Sequence, residues 1–269
     1  MEKKYIRFIN LNNYNNINIL NNMLNDTNDV PNNINIPTFN VVIATIGRPN
    51  ILNMLKSLEN QLETEDCLTI IYDKCKPIKA IYNINIKCKI ILKESGVGEP
   101  HIYVCGGGNL IRDIYKNEYE KRDFIVHGDD DDEYLPDTFS KLRNICKNKD
   151  CLYIFKFRYH NDSNRVVPMD TKNICKPCNL GTPNGIIPYE LNKLGSWGCY
   201  QLGDYAFYNS IWKKAKYRLF KDIIIYNVPS NKHVDIEELI FNSDDCLLKY
   251  NFYINLNNRI DKKMIQLNY

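Results

Sequence analysis

Short runs of β-branched apolar residues alternate with helical patterns through the first half of the chain. Asn40 to Thr45, with the sequence NVVIAT, is typical of a strand buried on both faces. Between Ile51 and Leu62 the apolar residues recur at helical spacing. Further strands are predicted at Cys67 to Tyr72, Lys87 to Leu92 and Asp123 to His127, and a second helix at Leu110 to Tyr115. This order predicts a single α/β domain whose mostly parallel, Rossmann-like sheet is flanked by helices.

The second half of the chain has a weaker pattern. Strands are predicted at Leu152 to Tyr159 and Asp222 to Val228, and helices at Asp204 to Lys214 and Asp235 to Tyr250. Before the first strand, an asparagine-rich tract favours irregular structure because it buries little apolar surface. We therefore expect an N-terminal extension over 1–38, one domain over 39–228 and a helical closure over 229–269.

Composition narrows the class of protein. The chain has 269 residues, 44% of them hydrophobic, which is enough for a substantial core. A net charge of +3 does not indicate a nucleic-acid partner. No run approaches the ~20 apolar residues of a membrane span, and no secretory signal is recognisable. We expect a soluble, cytoplasmic protein whose ten unclustered cysteines are reduced thiols.

Three polar groups follow predicted strands. They are the loop from Thr45 to Arg48, the single residue Asp73, and the run Asp129 to Asp132. In open parallel sheets, ligands bind beyond the carboxyl ends of the strands. We expect these groups to line one crevice.

The four consecutive aspartates of the third group suggest a metal. Like charges this close raise one another's pKa values unless a cation lies among them. A hard divalent ion with oxygen ligands, Mg²⁺ or Mn²⁺, satisfies that need and commonly shares its coordination shell with phosphates. The alternative is a solvated acidic loop. A calcium loop is not indicated, because the spaced aspartates and central glycine of such loops are missing.

The ordered set of motifs resembles family 2 glycosyltransferases of the GT-A fold. NVVIAT with Arg48-Pro49 and then IIYD ending at Asp73 resemble the opening of that family. GNLIR ending at Arg112 is similar to its arginine-bearing helix, and FIVHGDDDD resembles its strand and DXD motif. The interval of 129 − 112 = 17 residues between Arg112 and Asp129 is close to the family's spacing. The resemblance covers Phe39 to Pro136.

This resemblance implies roles for individual residues on the donor side. Thr45, Arg48 and Arg112 would bind the donor nucleotide, and Asp73 would hydrogen-bond uracil or another base. Asp129 and Asp130 would lie by the ribose and diphosphate, and Asp131 would bind the metal. Simpler roles stay open for three of them: a strand-end cap for Asp73, a helix-start residue for Arg48 and a surface ion pair for Arg112.

The resemblance extends, less closely, to an acceptor-side half. The glycine-rich segment from Gly181 to Pro188 precedes Gly203-Asp204, where the family usually has Glu-Asp. A carboxylate at a helix start is held ionised by the free amides there, so Asp204 is a candidate general base or a plain N-cap. Trp197 and Tyr200 would stack on an acceptor sugar or lie in the core. His233 would be a further metal ligand or a surface residue.

The predicted function is therefore metal-dependent transfer of a sugar from a nucleotide-diphospho-sugar to a hydroxyl of a glycan or other acceptor. The resemblance implies a UDP-sugar donor, a hexosyltransferase-type reaction and inversion. One alternative is a nucleotidyltransferase that makes the activated sugar, although Ile46 to Pro49 is short for its glycine-rich loop. The other is a non-catalytic nucleotide- or carbohydrate-binding module, which the missing acid before Asp204 keeps open.

Overall fold

A computed structural model describes residues 36–45, 47, 50–73, 84–95, 106–159, 165–198 and 202–229. The predicted extension and the predicted helix at Asp235 to Tyr250 lie outside these residues. The strands are β1 (Phe39–Thr45), β2 (Cys67–Asp73), β3 (Lys89–Ser95), β4 (Phe124–Asp129), β5 (Glu133–Tyr134), β6 (Cys151–Tyr159), β7 (Val166–Val167), β8 (Gly185–Pro188) and β9 (Tyr217–Val228). The helices are α1 (Ile51–Leu58), α2 (Gly106–Tyr115), α3 (Thr138–Ile145), α4 (Tyr189–Lys193) and α5 (Gly203–Trp212), with a short 3₁₀ helix at Thr182–Asn184.

The nine strands form one mixed sheet in the order β3-β2-β1-β4-β8-β6-β9-β5, with β7 on the side of β6. The pairs β1 with β2, β1 with β4, β2 with β3 and β6 with β9 are parallel and carry most of the paired residues. Antiparallel pairing is confined to β8 and to the two-residue strands β5 and β7. The mostly parallel sheet flanked by helices that the sequence predicts is confirmed.

Strand β1 shows why its sequence is apolar throughout. Every residue of this strand is buried, because successive side chains point to opposite faces and helices cover both. Val41 and Ile43 face the core cluster that includes Leu55 of α1. Val42 and Ala44 face a second cluster with Ile111 of α2. The strand is therefore the central layer of the first half of the domain.

The sheet curls so that strands distant in its order come into contact. Strands β8 and β6 separate β4 from β9 within the sheet. The Tyr226 hydroxyl of β9 nevertheless accepts a hydrogen bond of 2.9 Å from the backbone amide of Asp129, at the end of β4. The ring of Tyr226 packs edge-on against Tyr134 of β5, with ring centroids 4.8 Å apart, and β5 is both the neighbour of β9 in the sheet and the strand that follows β4 along the chain. This curvature brings the second half of the chain to the carboxyl ends of the first strands.

Several predicted boundaries shift. The predicted strand at Lys87 to Leu92 is displaced toward the C-terminus, since β3 follows its pairing with β2 as far as Ser95. The strand predicted at Asp222 to Val228 is the second part of a longer β9, whose first residues pair with the start of β6. Strand β4 extends to Asp129, so the first acid lies within the ladder. Among the residues described, no helix combines the length and apolar character needed to cross a membrane.

Candidate active site

The polar groups that follow the predicted strands lie at the edge of the sheet where the parallel strands have their carboxyl ends. In the parallel register, Ala44 lies opposite Asp129 on one side of β1. On the other side Thr45 lies opposite Tyr72, so that Asp73 is one residue further along β2. The strand ends that carry Thr45, Asp73 and Asp129 therefore meet at one edge, as predicted from strand polarity.

The loop after β1 is tied to the second aspartate. The Thr45 hydroxyl donates a hydrogen bond of 2.6 Å to Asp130 Oδ2 and accepts one of 2.9 Å from the Gly47 amide. Gly47 has a φ of 82°, a backbone conformation that favours glycine. Thr45 and Asp130 are both buried, so their hydrogen bond holds the end of β1 against the turn that follows β4. Arg48 lies outside the described residues.

Arg112 lies beneath the first aspartate as a buried cation. Its Nη2 donates 2.8 Å to the Gly128 carbonyl and 2.7 Å to Asp129 Oδ1, and its Nη1 donates 3.1 Å to Asn109 Oδ1. Burial alone would lower the pKa of Arg112, but the carboxylates of Asp129 and Asp204 outweigh it and the pKa is raised. The guanidinium is 2% exposed, which excludes the exposed surface ion pair considered for it. Removing the Asp129 carboxylate would leave the buried Arg112 charge without its ion-pair partner.

Gly128 allows two tyrosines to approach the acidic strand end. A Cβ at this position would lie 3.3 Å from the Tyr134 hydroxyl and 3.6 Å from the Tyr226 hydroxyl. The Tyr226 hydroxyl also accepts a hydrogen bond from the Asp129 amide, so a side chain of β9 holds the backbone of the first aspartate. Sequence reasoning missed both tyrosines, because nothing local in β9 indicates that it curls back onto β4.

Asp204 faces this cluster from the start of α5. Its Oδ1 accepts a hydrogen bond of 3.1 Å from the Thr182 hydroxyl, in the glycine-rich segment before β8. Burial and the nearby Asp129 raise the pKa of Asp204 to about 6, against the opposing influence of Arg112. A carboxylate with this pKa is mostly ionised at neutral pH and still able to take a proton, which suits a general base.

Gly203 explains why the expected acidic residue before Asp204 is missing. A Cβ at position 203 would lie 2.1 Å from the Gly198 carbonyl oxygen and 2.4 Å from Asn109 Nδ2. No side chain fits there while the backbone of Gly198 and the amide of Asn109 keep their places. Glycine at position 203 is therefore required by the close packing of this backbone against Gly198 and Asn109.

Trp197 is not available as an acceptor platform. Its ring is 3% exposed and stacks on Phe207 with centroids 4.1 Å apart, and it packs edge-on against His127 at 4.9 Å. The Trp197 amide donates 2.9 Å to Asp113 Oδ1 on α2, which anchors this segment. Trp197 therefore lies in the core, which is one of the two roles that the sequence leaves open for it. Tyr200 and His233 lie outside the described residues.

Tyr159 and Arg165 are near the site and were not predicted. The Arg165 guanidinium lies over the Tyr159 ring, 4.6 Å from its centroid. Burial raises the pKa of Tyr159, and the charges of Asp204 and Asp129 add to that effect. The end of β6 therefore belongs to the same electrostatic environment. Only the position of Tyr159 at a predicted strand end could have indicated this.

Within the described residues, the acidic turn suits only a cation that takes most of its oxygen ligands from a bound anion and water. No group of three or more His, Cys, Asp or Glu side chains suited to a metal is found in the part of the chain that is described. Asp129 is paired with Arg112, and Asp130 receives Thr45. Asp131, 8% exposed, follows them in the same turn. Mg²⁺ in proteins is commonly bound by one or two carboxylates together with phosphate and water oxygens.

Comparison with solved structures identifies the fold. No protein-family model matches the chain, and no curated protein matches its sequence. S. aureus TarS 1–349 superposes with a TM-score of 0.53 and 18% identity, over 71% of this chain and 60% of that chain. The same protein in complex with UDP-GlcNAc superposes with a TM-score of 0.55 and 17% identity, over 76% of this chain and 61% of that one. The chain thus spans about 60% of the length of these structures, and the similarity shows a GT-A glycosyltransferase fold.

Proposed function

We propose that this chain is a glycosyltransferase that moves a sugar from a nucleotide-diphospho-sugar to an acceptor hydroxyl. The observation that carries the proposal is the pairing of two acidic groups at one sheet edge. Asp129 is held by the buried Arg112, and across from it Asp204 has a pKa of about 6. The ion pair with Arg112 fixes the position of the Asp129 carboxylate, and the raised pKa of Asp204 gives its carboxylate the proton affinity of a catalyst.

On the donor side, a UDP-sugar is the proposed substrate. The shared fold with TarS, which has been solved with UDP-GlcNAc, supports this choice. Asp73 at the end of β2 would accept a hydrogen bond from the base. Thr45, Arg48 and Arg112 would line or support the nucleotide pocket, and Asp129 and Asp130 would lie by the ribose and diphosphate.

A divalent cation, Mn²⁺ or Mg²⁺, is the proposed cofactor, with Asp131 and His233 as its protein ligands. When bound, it would neutralise charge on the leaving diphosphate. The chain's own contribution is to hold the acidic turn in place. Arg112 binds the Asp129 carboxylate, and the hydrogen bond from the Asp129 amide to the Tyr226 hydroxyl holds the backbone. Asp130 is held separately by Thr45.

Catalysis is assigned to Asp204. Its carboxylate would take the proton of the acceptor hydroxyl as that oxygen attacks the anomeric carbon of the sugar. The bond between this carbon and the diphosphate oxygen breaks as the new glycosidic bond forms. A single displacement of this kind inverts the anomeric configuration. The acceptor would be a glycan or another hydroxyl compound, with Tyr200 a candidate contact, and the ten unclustered cysteines favour a cytoplasmic location.

A panel of nucleotide-sugars tests the proposal and its two alternatives. The chain is incubated with each donor, with and without Mn²⁺, and nucleotide diphosphate release is followed with water or sugar acceptors. We expect release from UDP-sugars that requires both Mn²⁺ and Asp204. Pyrophosphate release from a nucleoside triphosphate and a sugar phosphate would indicate a nucleotidyltransferase instead. Binding of a nucleotide-sugar with no turnover under any condition would indicate a binding module.

A further inference from the structure

Thr182 forms hydrogen bonds with two residues of α5. Its hydroxyl donates a hydrogen bond of 3.1 Å to Asp204 Oδ1. Its carbonyl oxygen accepts another of 3.1 Å from the Tyr208 hydroxyl. Asp204 and Tyr208 lie one turn apart on α5, so their side chains are on the same face of the helix. The segment before β8 is therefore joined to that face at two points through one residue.

The backbone around Thr182 is itself well anchored. Thr182 begins the 3₁₀ helix, in which Asn184 Oδ1 accepts a hydrogen bond of 2.7 Å from the Gly181 amide. Asn184 Nδ2 donates hydrogen bonds of 2.7 Å and 3.1 Å to the carbonyls of Phe155 on β6 and Val167 on β7. Thr182 and Asn184 are both buried. The sheet therefore fixes the segment that presents the Thr182 hydroxyl to α5.

We propose that Thr182 is a positioning residue that orients the Asp204 carboxylate to take the proton of the acceptor hydroxyl. The inference rests on the proposed role of Asp204 as general base. The hydroxyl binds one carboxylate oxygen and so restricts rotation of the carboxylate. The hydrogen bond from Tyr208 keeps the Thr182 backbone at the same distance from α5. A β-branched side chain has few χ1 rotamers, so threonine holds its hydroxyl in one direction.

The same hydrogen bond acts on the ionisation of Asp204. A donor to the charged form of a carboxyl favours that form, and the Thr182 hydroxyl accordingly lowers the pKa of Asp204. The other charged and titratable side chains around Asp204 include Asp129 of β4, Arg112 of α2, Tyr159 of β6 and Tyr208 of α5. Burial raises the pKa of both phenols, so the two tyrosines are neutral where Asp204 titrates. A substitution at Thr182 leaves all four side chains in place.

Two substitutions separate the hydroxyl from the bulk of the side chain. Thr182→Val keeps the shape and removes the donor, whereas Thr182→Ser keeps the donor and removes a methyl group. We expect Thr182→Val to lower kcat on the alkaline plateau of the pH–kcat profile, because the carboxylate loses its fixed orientation. The acid limb of that profile should move to higher pH by about one unit, since the lost hydrogen bond favoured the ionised form. Thr182→Ser should stay close to wild type in both respects, and KM for the donor should change little in either variant.

The Asp204 carboxyl is also titrated directly, by ¹³C NMR of labelled protein without substrate, with assignment from Asp204→Asn. Its pKa should be higher in Thr182→Val than in the wild type or in Thr182→Ser. Thr69→Val is the matched control. Thr69 of β2 is buried, and its hydroxyl donates a hydrogen bond of 3.0 Å to Asn40 Oδ1 near the amino ends of β1 and β2. This control should lower thermal stability and leave the Asp204 titration unchanged.

The outcomes distinguish this inference from the proposed function. A Thr182→Val protein in which Asp204 titrates as in the wild type would overturn the role of Thr182. A Thr182→Ser protein that titrates like Thr182→Val would do the same, because the hydroxyl would then not be the group that matters. A wild type without transfer activity would count against the proposed function. In that case the NMR titration still decides whether the Thr182 hydroxyl holds the Asp204 carboxylate.

Discussion

If Asp204 is the general base, its ionisation has opposite effects on activity and stability at neutral pH. Its pKa of about 6 in the folded protein lies above the ordinary value of 3.8, chiefly because of burial. A group whose folded pKa is raised binds protons more tightly in the folded state. Between these two pH values, stability therefore falls as pH rises, and the cost persists above pH 6. The proposed role of Asp204 as general base, in contrast, requires the ionised form.

We therefore expect Asp204→Asn to lower turnover by about 10²–10⁴-fold while raising stability at pH 7–8 by on the order of 1 kcal/mol. Wild-type activity should fall as pH drops through about 6. Steady-state kinetics and urea unfolding across this range measure both effects. Asp137→Asn, an exposed site, is the matched control and should change neither quantity. Normal turnover in Asp204→Asn would assign the base to another acidic residue.

Asp73 gives a prediction about the nucleobase. If its carboxylate accepts a hydrogen bond from a ring N–H of uracil, Asp73→Ala should weaken UDP binding by about 1–3 kcal/mol, the scale of a lost charged hydrogen bond. Binding of inorganic pyrophosphate, which has no base, should not change. Isothermal calorimetry with both ligands provides the comparison. An equal loss for UDP and pyrophosphate would mean that Asp73 supports the strand end and does not contact the base.

At the scale of elements, the start of α5 depends on the close approach of two glycines. The predicted Cβ distance of 2.1 Å from Gly203 to the Gly198 carbonyl leaves no room even for alanine. Gly203→Ala must displace either the segment at 195–198 or the first turn of α5, and Asp204 moves with that turn. We expect destabilisation of about 1–3 kcal/mol together with a loss of turnover greater than the unfolded fraction explains.

The control for this change is on the same helix. Asn209→Ala lies on the exposed face of α5 and should leave both unfolding and kinetics near wild type. Chemical denaturation and kcat, measured on the same preparations, separate the two effects. If Gly203→Ala has the unfolding free energy and turnover of wild type, the segment at 195–198 can move to accept a side chain, and packing does not explain the glycine.

The elements differ in how far sequence could predict them. Strands β1 and β2 are apolar on both faces, so their presence needs no knowledge of the partners that bury them. The first part of β9 is mostly half-buried and gains its regularity from pairing with β6. Trp197 shows a second limit of sequence-based prediction. The sequence around an aromatic residue near a site does not reveal whether its ring packs in the core or stacks on a bound sugar. The burial of Trp197 follows from Phe207 on α5 and His127 on β4, and the sequence pattern alone does not show that these two elements pack against it.

For the molecule as a whole, strand polarity was the reliable guide to the site. Parallel strands all end at one edge, so Thr45, Asp73 and Asp129 could be placed together without any side-chain detail. The contacts that give the site its chemistry were not predictable in this way. Tyr226 reaches Asp129 only because the sheet curls, and Asn109 packs closely against residue 203 only because that residue is a glycine. Both depend on packing between segments about a hundred residues apart in sequence.

The same architecture predicts how a donor should stabilise the fold. A nucleotide that spans the ends of β1, β2 and β4 binds only the assembled sheet edge, so it stabilises the folded state by about 2.7 kcal/mol at a hundred times its Kd. If Asp131 holds a cation that the diphosphate shares, UDP and Mn²⁺ together should raise the Tm far more than either alone. EDTA should abolish the increment, and Asp131→Asn should lose it while keeping its own Tm near wild type. Asp137→Asn should respond to the ligands as wild type does. A Tm increment from UDP that is the same in EDTA as in Mn²⁺ would remove the metal from the donor site, because a shared cation makes the two bindings interdependent.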